Sequence, residues 1–235
     1  MANVFKSTLP RVLLQAGLSL PSDDNKEIDS KTTTSKIVAG NDNPFPDSVT
    51  ERIMASLQRL QPRPGMVNAF TKTYRDENLV PKSIDQVILY GATNGGMALG
   101  EKLFKGALGD QVKIFTGQGA ISNQIKTSSS SSSKGSGIGL FSCDEIKVAK
   151  PDPRVYQTIL QRIQEENKDS SNTLLWFVAS HTWDLFAAKK VGFRTAWVGY
   201  EEFYTCPDIY LKPDIIAKDL DEAAHMILEW EGQQH

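Results

Sequence analysis

The 235-residue sequence contains only two cysteines, Cys143 and Cys206, and they stand in no metal-ligand or redox spacing. With no disulfide framework to form, both are expected to stay reduced, which points to a cytoplasmic setting. Neither charge is in excess: 26 Lys and Arg face 28 Asp and Glu, interspersed along the chain, for a net charge of −2. That balance offers no electrostatic footprint for nucleic acid or an anionic membrane. No apolar run approaches the roughly 20 residues that cross a bilayer. The opening "MANVFKSTLPRVLLQAGLSL" is amphipathic rather than a secretory signal, because Lys6, Arg11 and Gln15 interrupt it. No spacing of His, Cys, Asp and Glu calls for a metal, and no fingerprint calls for an organic cofactor. The expectation is a soluble protein with a small-molecule substrate, and a homodimer is left open.

What is present is a rhythm of apolar strands and amphipathic helices. Phe5, Leu9, Val12, Leu13 and Ala16 recur at helical spacing up to Gly17. A polar loop is expected over 21–48, then a helix from about Asp47 to Leu60 carrying Val49, Ile53, Met54, Leu57 and Leu60 on one face. After "QPRPG" a further helix is expected in "MVNAFTKTYRDENL". "QVILYGATNGG" then reads as a strand, followed by the helical "ALGEKLFKGALG". Residues 110–139 hold a six-serine run, Ser128 to Ser133, with little apolar periodicity, and a flexible insertion is expected there. The strand "IGLFSCDEI", the helix "KPDPRVYQTILQRIQEE", the strand–helix "TLLWFVASHTWDLFAAKKVG", the strands "FRTAWVGY" and "DIIA", and a helix from Asp219 to Trp230 complete the chain. Such alternation predicts an α/β fold with a parallel sheet and helices on both faces.

Ligands of such sheets lie outside the carboxyl ends of the strands. Polar groups cluster there: Thr93 and Asn94 after one strand, Asp144 and Lys150 after the next, and Ser180, His181, Trp183 and Asp184 after the third. Each has a plainer alternative. Thr93-Asn94-Gly95 also makes a turn, Lys150 a surface lysine before a proline, Asp184 a helix cap, and Trp183 a packing residue. Three strand ends aiming polar groups at one place is the stronger observation.

"ATNGG", "SCDEIKVAKPDPRVY" and "VASHTWDLFAAKKVGFRTAWV" together resemble three sequence blocks of the haloacid dehalogenase superfamily, of the 2-haloacid dehalogenase type found in fungal relatives. The resemblance covers roughly residues 60–235. It implies a Rossmann-like core at 63–235, carrying the insertion at about 110–139, beneath a small helical cap-like region at 1–62. By this resemblance Thr93 and Asn94 match the hydroxyl-and-amide motif, Lys150 the charge-balancing lysine, and Asp184 the carboxylate of the last block. Ser180 keeps a serine, whereas Ala179 and His181 replace the family's usual serine and asparagine. The family's remaining block, a first core strand ending in Asp-x-x-Gly-Thr with the attacking aspartate, has no match here.

Without an attacking carboxylate the family's ester intermediate cannot form. The resemblance then implies an enzyme with a retained pocket and non-hydrolytic chemistry, with Lys150, Asp184 and His181 catalytic and Thr93, Asn94, Ser180 and Trp183 binding substrate. Because such fungal relatives serve natural-product pathways, a pericyclase or cyclase acting on a terpenoid or polyketide is the concrete expectation. The alternatives are a dehalogenase-type hydrolase, through a longer natural start or a recruited carboxylate such as Asp144 or Asp184, and a small-molecule-binding remnant without catalysis.

Overall fold

The computed structural model describes residues 51–52, 55–56, 59–129, 137–167 and 173–233. The chain divides into two units, Met1–Leu60 and Gln61–His235. In the first, residues 51–52 and 55–56 are helical, within the expected Asp47–Leu60 helix. The expected Phe5–Leu18 helix and the 21–48 loop lie outside the described residues.

The second unit is an α/β array. Helix α1 (Met66–Thr71) follows Gly65, whose φ of 77° suits glycine and whose missing Cβ would meet the Asp221 amide nitrogen at 2.7 Å. Strand β1 (Tyr90–Thr93) and helix α2 (Met97–Leu108) come next, then β2 (Lys113–Thr116), α3 (Ala120–Ser129) and β3 (Gly137–Ser142). Helix α4 (Pro153–Glu166), β4 (Trp176–Ala179), α5 (Thr182–Val191), β5 (Arg194–Val198), β6 (Ile215–Ala217) and α6 (Leu220–Gln233) follow. All strand pairs are parallel, in two three-stranded sheets ordered β1-β3-β2 and β4-β5-β6. The central strand β3 is buried throughout, while every residue of β1 and β4 is half-buried. Each of those two ends its sheet, and among the described residues no strand pairs between them.

One apolar core joins the two sheets. Phe141 of β3, Val155, Tyr156 and Ile159 of α4, and Ala187 and Ala188 of α5 form a buried cluster, against which Tyr90 of β1 and Phe177 of β4 pack. Helices α4 and α5 therefore share one layer over strands of both sheets. On other faces α2 supplies Leu108 against Ile138 of β3, and α6 supplies Ala223 and Ile227 against Ala196 and Val198 of β5. Burying each of the larger side chains contributes on the order of 1.5–3 kcal/mol. Strand β3 alternates glycine with bulk for a steric reason: a Cβ on Gly139 would lie 2.3 Å from the Tyr90 ring, and one on Gly137 2.6 Å from the Phe115 ring.

The 110–139 segment corrects the expectation of a flexible insertion. Its first part forms β2 and α3, with Val112, Ala120, Ile121 and Gln124 buried; residues 130–136 lie outside the described ones. Periodicity understated it because a few contacts anchor a mostly polar helix. The Gln124 amide donates to Leu89 O (3.1 Å) and accepts from Leu89 N (3.3 Å), supplying partners to backbone just upstream of β1. The Glu166 carboxylate accepts from the backbone of Gly119, Ile121 and Ser122, at the start of α3.

Among the described residues no helix is long and apolar enough to cross a membrane. Cys143 is buried, Cys206 is exposed, and both are free thiols.

Candidate functional site

Three turns at the carboxyl ends of the strands build the site. After β1 the chain turns at Thr93, whose hydroxyl accepts from Gly95 N at 2.9 Å. The Ser142 hydroxyl at the end of β3 donates to Gly95 O (2.8 Å) and accepts from Asp144 N (3.2 Å), so the ends of two adjacent strands are tied. The Asn94 side chain accepts from Lys150 N at 2.8 Å and donates to Lys150 O at 3.3 Å. Asn94 thus spends both faces of its amide on the backbone that presents Lys150. In this geometry it holds the backbone of that lysine.

Lys150 precedes a cis bond to Pro151, after which Asp152 and Pro153 start α4. Asp152 accepts from Arg154 N, a side-chain cap, and Pro153 stands where its missing N–H costs nothing. From this fixed entry Lys150 Nζ reaches Asp184 Oδ2 at 2.8 Å, and it lies 5.7 Å from the centre of the Phe177 ring. Asp184 stands in the first turn of α5, immediately beyond β4. Its other oxygen, Oδ1, accepts a short hydrogen bond from the Tyr156 hydroxyl of α4. Asp184 therefore does not cap its own helix; both oxygens are taken up by partners from elsewhere in the chain.

The electrostatics follow from this burial. The side chains of Lys150 and Asp184 are only 13% and 5% exposed, so little water screens the pair. Burial first, and then the Asp184 carboxylate, push the Tyr156 phenol well above its ordinary value, so it serves as a donor and not as a base. Burial also raises the Cys143 thiol, which lies close enough to feel Lys150 and Asp184. A protonated thiol is a poor nucleophile.

The remaining expected residues gather around the α5 start. His181 is the residue at the helix N-cap, although its side chain makes no cap bond. Its Nδ1 lies 3.3 Å from Glu202 Oε1, and its ring stacks on Trp183 with centroids 5.2 Å apart and 15° between planes. Glu202 Oε2 accepts from both the backbone and the hydroxyl of Thr182, at 2.9 Å each. Ser180 is half-buried between β4 and α5. Asp144 is half-buried, with Oδ2 3.5 Å from where a Cβ on Gly96 would stand.

The structure thus brings Asn94, Lys150 and Asp184 into one connected network and puts His181 one helical turn before Asp184. Sequence reasoning missed Tyr156, Phe177 and Glu202. Tyr156 had a signal: a tyrosine on an otherwise apolar helix face with Val155 and Ile159 needs a partner for its hydroxyl. Glu202 had none, being one acid among several in a loop. Among the described residues no group of three or more His, Cys, Asp and Glu comes together as a metal site.

No family model matches the chain. Over 88 residues it is 31% identical to (S)-2-haloacid dehalogenase 2 of Pseudomonas sp. (strain CBS-3), a stretch covering 37% of this chain and 36% of that protein. It is 41% identical over 55 residues to (S)-2-haloacid dehalogenase 4A of Burkholderia cepacia, covering 23% and 22% of the two chains. The chain therefore matches about a third or less of the length of these curated relatives. Among solved structures, an L-2-haloacid dehalogenase superposes with a TM-score of 0.53 at 17% identity, over 97% of this chain and 72% of that one. A dehalogenase with an intermediate complex gives 0.51 at 16% identity, over 94% and 77%. At such identities the structural likeness shows the fold alone: this chain has the parallel α/β fold of those dehalogenases, and the stretches that it matches in sequence are from proteins of the same kind.

Proposed function

We propose that this chain is a hydrolase acting on a small 2-halogenated carboxylic acid. The observation that carries the proposal is Lys150. Its ammonium has three donors, of which Asp184 takes one, and Asp184, itself held by the Tyr156 hydroxyl, fixes it at the ends of β3 and β4. A cation fixed in a poorly hydrated position with donors to spare suits a substrate carboxylate or the negative charge that builds on a departing halide. In the net reaction water replaces the halogen at C2, giving a 2-hydroxy acid, a halide ion and a proton.

The curated relatives support this reading, since they are 2-haloacid dehalogenases. The cyclisation of a terpenoid or polyketide expected from the sequence finds no support among them, and the hydrolytic alternative fits them better. The same reading keeps the protein in the cytoplasm, with a small-molecule substrate and no nucleic-acid or membrane partner.

The test is halide release from each enantiomer of 2-chloropropanoate by the purified protein, beside phosphate release from p-nitrophenyl phosphate with and without magnesium. Halide release that disappears in Lys150→Met is the expected result. Phosphate release without halide release, or no turnover of either substrate, would overturn the proposal.

A further inference from the structure

We propose that Arg162 and Glu145 are positioning residues for Lys150, setting where its ammonium stands at the strand ends. The inference rests on the hydrolytic reading above, in which that ammonium meets the substrate.

Lys150 is carried on a short loop that is fixed at both ends. At the far end the Asn94 side chain grips the backbone of Lys150 itself, at its N–H and its carbonyl. The near end is the turn Cys143–Glu145 after β3, and the Glu145 carboxylate ties it down through both oxygens. Oε1 accepts from Ser142 N at 3.2 Å, and Oε2 pairs with Arg162 Nη2 of α4 at 2.9 Å. The two side chains are 15% and 26% exposed, so water screens this pair less than a surface pair. The Arg162 guanidinium also lies 4.9 Å from the centre of the Phe141 ring, which is buried in β3. That ring holds the guanidinium over its face and limits how far it can follow a moving carboxylate.

The chain between the two anchors is itself constrained. Ile146 N and Val148 N both donate to Cys143 O, at 3.3 Å each. Lys147 stands at φ 57°, a left-handed conformation that a lysine keeps only where its surroundings dictate it. A displacement of Glu145 is therefore passed along to Lys150 more readily than it is absorbed. Helix α4 supplies Arg162 to this loop and Tyr156 to Asp184, so the lysine and its partner carboxylate are placed from one element. Without Arg162 the Glu145 carboxylate can turn to solvent, and the loop that presents the ammonium loses an anchor. A misplacement of about 1 Å at a reacting centre can cost roughly 10²-fold in rate.

The experiment compares wild type with Arg162→Met, Glu145→Gln, the double variant and Arg162→Lys, with circular dichroism to establish folding. Two quantities are read. One is halide release from 2-chloropropanoate; the other is the rate at which trace acetic anhydride acetylates Lys150, followed by peptide mass spectrometry, with the exposed Lys105 as reference. Halide release should fall by about 10–10²-fold in Arg162→Met and in Glu145→Gln. The double variant should fall no further, since the two residues act as one pair, and Arg162→Lys should recover part of the loss. Lys150 should be acetylated several-fold faster in both single variants while Lys105 is unchanged. Unchanged acetylation of Lys150 in the folded variants would overturn the inference, and so would turnover that stays at the wild-type level. Acetylation that rises equally at Lys105 would mark a general loosening of the fold and overturn it as well. A wild type that releases no halide would sink the hydrolytic reading alone, and the acetylation of Lys150 would then decide the positioning by itself.

Discussion

Lys150 Nζ lies 2.8 Å from Asp184 Oδ2, and the second oxygen of the same carboxylate accepts from the Tyr156 hydroxyl. One acid thus joins the loop before α4, the first turn of α4 and the first turn of α5. The chain separation between Lys150 and Asp184 is 34 residues, so the pair also pins the end of one sheet to the end of the other. Removing one partner leaves a poorly hydrated charge uncompensated, whereas removing both does not.

That asymmetry is measurable. Lys150→Met is expected to destabilise the protein by about 3 kcal/mol, because Asp184 keeps only Tyr156 as a partner. Asp184→Leu should cost a similar amount, and the double variant should be more stable than the sum of the two losses implies. Urea unfolding of all four proteins gives the coupling energy directly. Additive losses would mean that the two groups act independently and that the pair is not the link between the sheets.

The Glu166 carboxylate links the end of α4 to the start of α3 through three backbone N–H groups. Glu166→Ala should therefore cost about 1–2 kcal/mol, the range for losing a helix-end acceptor. Amide exchange should accelerate at Ile121 and Ser122 more than in β4 or β5. Uniform acceleration across the whole chain would instead indicate global destabilisation without local release of α3.

Acid sensitivity should trace to Asp214. Burial works against its charge, but the Lys189 ammonium at 2.7 Å and the backbone N–H and hydroxyl of Thr195 outweigh it, leaving the carboxyl below its ordinary value of 3.8. A depressed folded-state value means that Asp214 stabilises the fold above pH 3.8 and that this contribution fades as pH falls below it. Wild type should lose stability on acidification into that range more steeply than Asp214→Asn. Parallel curves for the two proteins would assign the acid transition to other carboxylates.

How much of this was legible beforehand depended on the range of the interaction. The parallel α/β order followed from local signals: apolar runs such as Trp176–Ala179 and Ala196–Val198, the Asp152-Pro153 helix start and Gly192 after α5. Lys150 and Asp184 could be singled out because their type and their place beyond strands are written along the chain. The role of Asn94 could not, since an amide that clamps a backbone 56 residues away looks the same in sequence as one that faces a ligand.

The sequence by itself determined which segments become strands and helices and which polar residues stand at the strand ends, because propensity, capping and hydrophobic period act within a few residues. Only the tertiary structure decided which of those residues meet. It placed Tyr156 on Asp184 and Glu202 on His181, and it made a strand of Lys113–Thr116 and a helix of Ala120–Ser129, the helix tied down through Gln124 and Glu166. The physical reason is that a hydrogen bond or ion pair depends on positions in space to within a few tenths of an ångström. The packing of α4 and α5 over strands of both sheets sets those positions, and no local pattern encodes them.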